Sequence, residues 1–328
     1  MPLPSPAASP APLDRGALLR AAAPFGSSRG LPAAAYTSPE VLEWERTNFF
    51  TRSWMCAGRA GHRKRNPRAR EAGGWAFVQG DPGGIGFEEQ FGNVWDILAP
   101  WEPERLVVAA RHSYRVEANW KFIHENYQEC YHCSEIHPEL CRVTPPDSGY
   151  SYDMEGLFVA GPMDLRPGAE TMSLDGKSLS IPLRGLSGRQ LREVGYIGIF
   201  PDLLISPHPD YILTHRVQAL ASDSSFVECE WLFPPEALVD PDFSPDYAVE
   251  FWDITNREDW AAVESLQRSA AGRGYLPGPL STSWEAGPYM WVKMLADGYL
   301  EGAVTRPPEV PRIARAPRSE TFGANAAR

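Results

Sequence analysis

The pattern of hydrophobic and polar residues divides the chain into an N-terminal part with few large hydrophobic side chains and a remainder with many. Residues 1–35 are rich in Pro, Ala and Ser, so we expect a disordered leader with at most a short helix near Leu18. From Ser38 the pattern changes. Ser38 and Pro39 have the order of an N-cap and a first helical residue, and the apolar residues that follow predict a helix to about Phe50.

Two short apolar segments follow this helix and flank a basic stretch. Residues 53–58 and 74–78 have the composition of strands. Between them, residues 59–70 carry seven basic side chains, counting His62, and no apolar periodicity, which predicts a solvated loop. Residues 36–104 are therefore predicted to be a small β segment behind the N-terminal helix.

Beyond residue 104 the hydrophobic pattern changes between helical and strand periods. The predicted elements are a strand at 106–114, a helix at 119–132, four strands between 196 and 233, and helices at about 256–268 and 288–300. The four short strands, each followed by turn residues, are typical of an antiparallel meander. Residues 105–316 are thus predicted to form one α+β domain, an antiparallel sheet with flanking helices, and residues 317–328 a mobile tail.

The composition and charge of the chain limit the classes of partner that it is expected to bind. A formal net charge of −11 argues against nucleic acid or an anionic membrane as the main partner and favours a small or cationic ligand. The chain contains neither an apolar stretch of membrane-spanning length nor a recognisable signal sequence. Its five cysteines, three of them between residues 130 and 141, are unlike a disulfide framework, so we expect a cytoplasmic protein with reduced thiols.

The candidate chemistry is concentrated in the predicted helix at 119–132 and its exit. Asn126, Glu129 and His132 follow one another at three-residue spacing, which places them on one face of a helix. His137 would lie about 140° away if the helix continued. Pro138 excludes the preceding residue from helical conformation, so His137 can turn back beside His132 and two imidazoles can converge on one ion.

A catalytic iron site of the 2-His-1-carboxylate type needs a third, anionic ligand. The candidate is Asp259, which follows Thr255 and Glu258 at the spacing of a capping box and would lie in the first turn of a helix. The spacing alone favours a simpler role for Asp259, in which a carboxylate at a helix start stabilises the macrodipole.

Two other functions fit the same residues. Cys130, Cys133 and Cys141 could join the two histidines in a tetrahedral zinc site. The amphipathic pattern of the segment is less typical of a zinc knuckle.

Alternatively, the fold could enclose a hydrophobic ligand without catalysis, with both histidines as polar lining. Four aromatic residues could form a cage for a trimethylammonium group, although core packing is their commoner role: Phe251, Trp252, Tyr289 and Trp291.

The predicted helix and its exit contain four motifs: Asn-Trp-Lys at 119–121, Glu-Asn at 125–126, Glu-Cys-Tyr-His at 129–132 and His-Pro at 137–138. Together they resemble the iron-site helix of the Rieske non-haem iron ring-hydroxylating oxygenases, large subunit, and the resemblance extends over about residues 105–300. It implies a helix-grip-like catalytic domain that holds mononuclear Fe(II). It also implies site residues, namely His132, His137 and Asp259 as iron ligands, Glu129 as the electron-transfer bridge and Asn126 beside the iron.

The resemblance further implies the reaction partners. They are O₂, a small organic substrate, a 2Fe–2S cluster, NAD(P)H through a separate ferredoxin or flavin reductase, and a homotrimer in which electrons cross between subunits. Glu129 is similar to the residue of the branch that acts on choline, glycine betaine or carnitine, since the family usually has Asp there.

The cluster ligands of that family are not found in this sequence. A Rieske cluster is bound by a C-x-H and a C-x-x-H motif, and no such pair occurs before residue 100. The Cys-Tyr-His at 130–132 lies in the iron-site helix and is interpreted as coincidence. Residues 36–104 therefore resemble a truncated Rieske domain, and we expect a chain that binds Fe(II) but does not hydroxylate unaided.

Overall fold

The computed structural model describes residues 10–61 and 68–311. Its helices are α1 (Arg15–Ala21), α2 (Ala33–Thr37), α3 (Pro39–Glu45), α4 (Phe87–Phe91), α5 (Val94–Leu98), α6 (Trp120–Tyr127), α7 (Cys133–Ile136), α8 (Pro138–Val143), α9 (Asp246–Ala270) and α10 (Ala286–Glu301). Its strands are β1 (Met55–Arg59), β2 (Ala69–Ala72), β3 (Trp75–Val78), β4 (Val107–Val116), β5 (Phe158–Asp164), β6 (Glu193–Ile199), β7 (Leu203–Pro207), β8 (Ile212–Ala221) and β9 (Ser224–Phe233). The predicted α+β class is confirmed.

A six-stranded antiparallel sheet in the order β4-β9-β8-β7-β6-β5 is the centre of the fold. The strands β6 to β9 are the predicted meander, in which each pairs with the next along the chain. The sequence pattern does not predict β5 individually, because Gly161 and Pro162 interrupt it. This strand lies at the edge of the sheet, where a proline is tolerated.

Both faces of this sheet are buried, because side chains alternate between two cores. Leu204 of β7 points into the larger core, which it shares with Trp120 and residues of α9 and α10. Its neighbours Leu203 and Ile205 point into a second core with Trp75 of the small sheet. The small sheet therefore packs on the face opposite the main helices.

The small sheet has the order β1-β3-β2, with antiparallel pairing throughout. It is compatible with the predicted remnant of a Rieske domain, with one difference. The last two residues of the predicted loop at 59–70 form a strand instead, since β2 begins at Ala69 and pairs with β3. Residues 62–67 of that loop lie outside the described part of the chain.

The prediction of a disordered leader over residues 1–35 is wrong from residue 10 onward. Asp14 caps α1 by accepting a hydrogen bond from the Ala17 amide at 2.7 Å, and Leu18 and Ala21 are buried. The helix α1 contacts α10. Small alanine side chains here permit close packing, so a composition that buries little area per residue still gives an ordered segment.

The predicted tail at 317–328 lies outside the described residues. Within residues 10–61 and 68–311, no helix is long and apolar enough to cross a membrane.

Candidate metal centre

The helix α6 is firmly anchored where it begins. The side chain of Asn119 accepts a hydrogen bond from the Lys121 amide at 3.1 Å and acts as the N-cap. Lys121 and Glu45 are both fully buried and form an ion pair of 2.6 Å, and Glu45 also accepts a hydrogen bond from the Trp120 indole at 2.9 Å. This network fixes the start of the segment that carries the candidate ligands.

The helix ends earlier than predicted, at Tyr127 instead of about His132. Gln128 is wedged between Gly198 of β6 and Gly287 of α10, and a Cβ at either glycine would overlap with it. Two glycines from distant parts of the chain thus make room for the break.

Glu129 replaces the missing helical hydrogen bonds after the break. Its carboxylate accepts from the amides of Tyr131 and His132, the latter at 3.3 Å, and it lies 2.5 Å from Nδ1 of His132. Asn126, Glu129 and His132 therefore do not form a stripe on one helix. They converge on the same site because the chain turns between Tyr127 and Cys133.

His137 leaves the helix as predicted from Pro138. Its backbone has φ −118° and ψ 69°, between the end of α7 and the start of α8. The side chain is 1% exposed and its ring centroid lies 5.1 Å from that of His132. The proline thus brings the second imidazole beside the first.

Asp259 reaches this pair from α9, but not from a helix start. The helix begins at Asp246, nine residues before the predicted capping box at Thr255. The prediction is wrong because Thr255 bonds the Phe251 carbonyl within the helix at 3.1 Å, and Asn256 is buried against His215 at 3.0 Å. Asp259 is therefore an interior helical residue and has no role as a terminal charge.

The three side chains have the spacing of ligands around one ion. Nε2 of His137 lies 2.9 Å and Nε2 of His132 lies 3.4 Å from Oδ1 of Asp259. Metal–ligand bonds of about 2.1 Å at right angles separate neighbouring ligand atoms by about 3 Å. Two imidazole nitrogens and one carboxylate oxygen are the donor set of mononuclear non-haem Fe(II) sites, so the residues fit that ion.

Each imidazole has a carboxylate on its second nitrogen. Nδ1 of His132 faces Glu129 at 2.5 Å, and Nδ1 of His137 faces Glu258 at 2.7 Å. A carboxylate can only accept, so both Nδ1 atoms donate, and both Nε2 atoms face Asp259. Sequence reasoning missed this role of Glu258, although its position beside Asp259 was a usable signal.

Hydrogen bonding makes the cluster strongly attractive to positive charge. Burial lowers the pKa of His132, but its hydrogen bonds to Asp259 and Glu129 outweigh burial and raise the pKa to about 9. The pKa of His137 is raised in the same way, mainly by Asp259 against burial. Burial raises the pKa of Asp259, and the two histidines lower it by more. A divalent cation would supply the same positive charge on displacing these protons.

The cysteines of the segment do not form the alternative zinc site. Cys130 and Cys133 are joined by a disulfide, which contradicts the expectation of reduced thiols, and a disulfide sulfur is a poor ligand compared with a thiolate. Cys141 is a free cysteine whose Sγ–H donates to the Cys133 carbonyl at 3.3 Å. The soft ligands that would favour zinc are thus engaged elsewhere.

The four aromatic residues considered for a cage do not surround a common space: Phe251 and Trp252 contact each other at 5.5 Å, whereas Tyr289 and Trp291 contact other rings. Trp291 stacks on His124 at 4.3 Å, and Tyr289 contacts Phe25 at 4.8 Å. Trp252 donates to the Tyr211 hydroxyl at 2.8 Å and is buried, as is Phe251. They are core residues.

Another aromatic group lies next to the candidate ligands. Tyr127 contacts Tyr196 and His215, with ring centroids at 5.6 and 6.1 Å, and His215 contacts Trp260 at 6.5 Å. Tyr127 and Trp260 each follow a residue of the centre, Asn126 and Asp259. Neither the Tyr196 hydroxyl nor the Trp260 indole N–H has a hydrogen-bond partner among residues 10–61 and 68–311.

Comparison with known proteins identifies the family. The profile of the family described as Ring hydroxylating alpha subunit (catalytic domain) matches residues 103–301. Glycine betaine monooxygenase oxygenase subunits of Pseudomonas aeruginosa and Chromohalobacter salexigens are each 27% identical, over 254 and 261 residues. These matches cover 67% and 70% of this chain and 58% of each relative. The carnitine monooxygenase oxygenase subunit of Escherichia coli K12 is 26% identical over 63% of this chain and 53% of its own length.

Solved structures share the fold. A quaternary ammonium Rieske monooxygenase superposes with a TM-score of 0.69 over 89% of this chain and 100% of its own, at 16% identity. Naphthalene 1,2-dioxygenase from a Rhodococcus species gives 0.66 over 88% and 98%, at 14% identity. The chain spans less than two thirds of the curated relatives it matches, but the family profile covers more than half of it. This protein therefore belongs to the ring-hydroxylating oxygenase α-subunit family.

Proposed function

We propose that this chain binds one mononuclear Fe(II) through His132, His137 and Asp259 and provides the oxygenase site for hydroxylation or demethylation of a small organic substrate. The observation that carries the proposal is the convergence of His137 and Asp259, 122 residues apart, on His132. The carboxylates on both Nδ1 atoms support it, because such partners orient metal-binding imidazoles.

The bound Fe(II) would supply O₂ activation, and the protein residues prepare its surroundings. Glu129 and Glu258 hold the Nδ1 protons, so the Nε2 lone pairs are available to the metal. Asn126 donates to Oδ1 of Asp259 at 2.6 Å and so lines the centre without offering a strong ligand. These contacts fix the ligands before substrate arrives.

The proposed substrate is a quaternary ammonium compound. The relatives described above are monooxygenase subunits named for glycine betaine and carnitine. In this chain, Tyr127, Tyr196 and Trp260 place aromatic rings beside the centre, and such rings attract a trimethylammonium group. The Tyr196 hydroxyl and the Trp260 indole N–H are available to donate to the substrate carboxylate.

Electrons must come from a 2Fe–2S cluster whose ligands this sequence does not contain before residue 100. We propose that Glu129, which bonds His132, receives them from a cluster in a different polypeptide that assembles with this chain, because a second copy of this chain would lack the same ligands. A ferredoxin or flavin reductase would supply that cluster from NAD(P)H. Inter-subunit electron transfer is described for a quaternary ammonium Rieske monooxygenase that shares this fold, which supports the arrangement.

Iron binding tests the site directly. The anaerobically loaded chain is expected to hold one Fe(II), and His132→Ala and His137→Ala are expected to lose it. His112→Ala, which removes a half-exposed histidine on β4, is the matched control and should keep the iron. Retention of one iron by the His132→Ala/His137→Ala double variant would contradict the proposal.

Turnover is tested by changing the electron source. Hydrogen peroxide carries both the oxygen and the two electrons that O₂ and a reductase would supply. With peroxide, the iron-loaded chain should convert glycine betaine to dimethylglycine, formaldehyde and water, and His137→Ala should not. With reductase and NADH alone we expect no product. Formaldehyde formed with reductase and NADH alone would contradict the proposal that this chain lacks an electron relay. If no formaldehyde formed with peroxide, the proposed oxygenase activity would be contradicted.

A further inference from the structure

The disulfide between Cys130 and Cys133 surrounds one of the proposed iron ligands. It closes a short ring that contains Tyr131 and His132, with 4.9 Å between the two cysteine Cα atoms. Cys133 is buried, whereas Tyr131 is 58% exposed and stacks on Trp284 at 5.7 Å. The bond thus connects the buried start of α7 to a loop that lies at the surface.

The segment before His132 has few other restraints. Its Glu129 amide bonds the Asn126 carbonyl at a long 3.5 Å, and the carboxylate of Glu129 accepts from the amides of Tyr131 and His132. After His132 the chain is better held, because the His132 carbonyl accepts from the Glu135 and Ile136 amides at 2.9 and 3.2 Å. The other two ligands differ, because Asp259 is inside a 25-residue helix and His137 is almost fully buried.

We propose that Cys130 and Cys133 are a reversible redox modification site that sets how tightly the metal is held. The inference depends on the proposed iron site. In the disulfide form His132 is restrained beside the other ligands, so metal binding loses less conformational entropy. In the dithiol form the loop is freer and the metal is held more weakly.

The chemistry of the switch is thiol–disulfide exchange and peroxide oxidation. Two thiols lose two protons and two electrons to hydrogen peroxide, which becomes two water molecules. Two molecules of a small thiol such as glutathione return the protons and electrons and leave as their own disulfide. An enzyme that handles O₂ at an adjacent metal is exposed to peroxide whenever turnover is uncoupled.

Cobalt(II) is a suitable probe because it replaces Fe(II) and reports its ligands by absorbance. The full chain is prepared with the disulfide intact or reduced, freed of reductant, and titrated with Co(II). Thiol counting after denaturation should give three free thiols in the first form and five in the second. We expect the disulfide form to bind Co(II) about tenfold more tightly.

Two variants separate the pair from the other cysteines. Cys130→Ser/Cys133→Ser should bind Co(II) like the reduced chain and not respond to redox treatment. Cys141→Ser, which leaves the pair intact, should respond like the wild-type chain.

Equal affinities in the two forms would overturn the inference, as would five free thiols in the untreated chain. A thiolate-to-cobalt absorption band in the reduced chain would also overturn it. Cys133, whose sulfur lies 3.9 Å from Nε2 of His132, would then be a ligand instead of a restraint. If Co(II) bound neither form while the chain remained folded, the proposed metal site itself would fail, and this inference with it.

Discussion

The proposed metal centre and the small sheet β1-β3-β2 lie on opposite faces of the same six-stranded sheet, but they use different kinds of residue. The proposed centre gathers two histidines and three carboxylates at hydrogen-bonding distances. The small sheet contributes apolar side chains, among them Trp75 and Phe77, to a continuous core. The proposed centre thus gathers polar groups that can bind a cation, whereas the small sheet serves packing.

A buried hydrogen bond joins the small sheet to the six-stranded sheet. Asp202, at the turn between β6 and β7, accepts hydrogen bonds from the Cys56 amide of β1 at 3.0 and 3.1 Å. Both residues are buried. Substitutions can therefore test whether stability and metal binding are separate properties.

The largest effect, on the free energy of unfolding, is expected from a substitution in the core of the small sheet. Phe77 is 1% exposed, with ring centroids of Phe91 and Trp95 at 4.6 and 5.8 Å. Phe77→Ala should lower the free energy of unfolding by about 3–5 kcal/mol, because it leaves a cavity. Denaturant titration measures the loss, and the half-buried neighbour Val78→Ala should cost less. Metal affinity of the folded variant should be unchanged, and a parallel loss of metal would show that the two regions are coupled.

A smaller effect, on metal binding alone, is expected at Glu258. Glu258→Gln can still accept the Nδ1–H of His137 but removes the negative charge, and it should weaken Fe(II) binding by about tenfold. Glu258→Ala should weaken it by up to about a hundredfold. Glu250→Gln, an exposed carboxylate of the same helix, is the control. Unchanged affinity in both Glu258 variants would show that this carboxylate does not support the ligand.

A further effect, which depends on pH, is expected where the small sheet meets the six-stranded sheet. Burial raises the pKa of Asp202 to about 7, from an ordinary value near 3.8. The folded state therefore binds a proton that the unfolded state has released, and the stability from this group is lost as pH rises from about 4 to about 7. Asp202→Asn removes the titrating group and should therefore flatten the dependence of the unfolding free energy on pH between about 4 and 7, as measured by denaturant titrations at several pH values. The same pH slope in both proteins would contradict the assignment.

The sequence predicts those features whose cause is local. Pro138 acts on the residue before it, so the position of His137 outside a helix follows from two adjacent letters. The meander follows from short β-rich runs and the turns between them. In both cases the forces act over a few residues.

Other features depend on contacts between distant segments. The end of α6 depends on Gly198 and Gly287, which are far from Gln128 in sequence. The start of α9 at Asp246 overrides a capping signal at Thr255, because burial satisfies the polar side chains inside the helix. The role of Asp259 as a ligand was implied by the family resemblance, because its local sequence pattern favoured a carboxylate that stabilises a helix start.

Glu258 and Asp259 are consecutive residues of one helix, so a single rigid body carries both a proposed ligand and the carboxylate that orients another. Any displacement of α9 along or around its axis moves both groups by the same motion. A substrate or protein partner that displaces this helix would therefore change the affinity for the metal without contacting the metal.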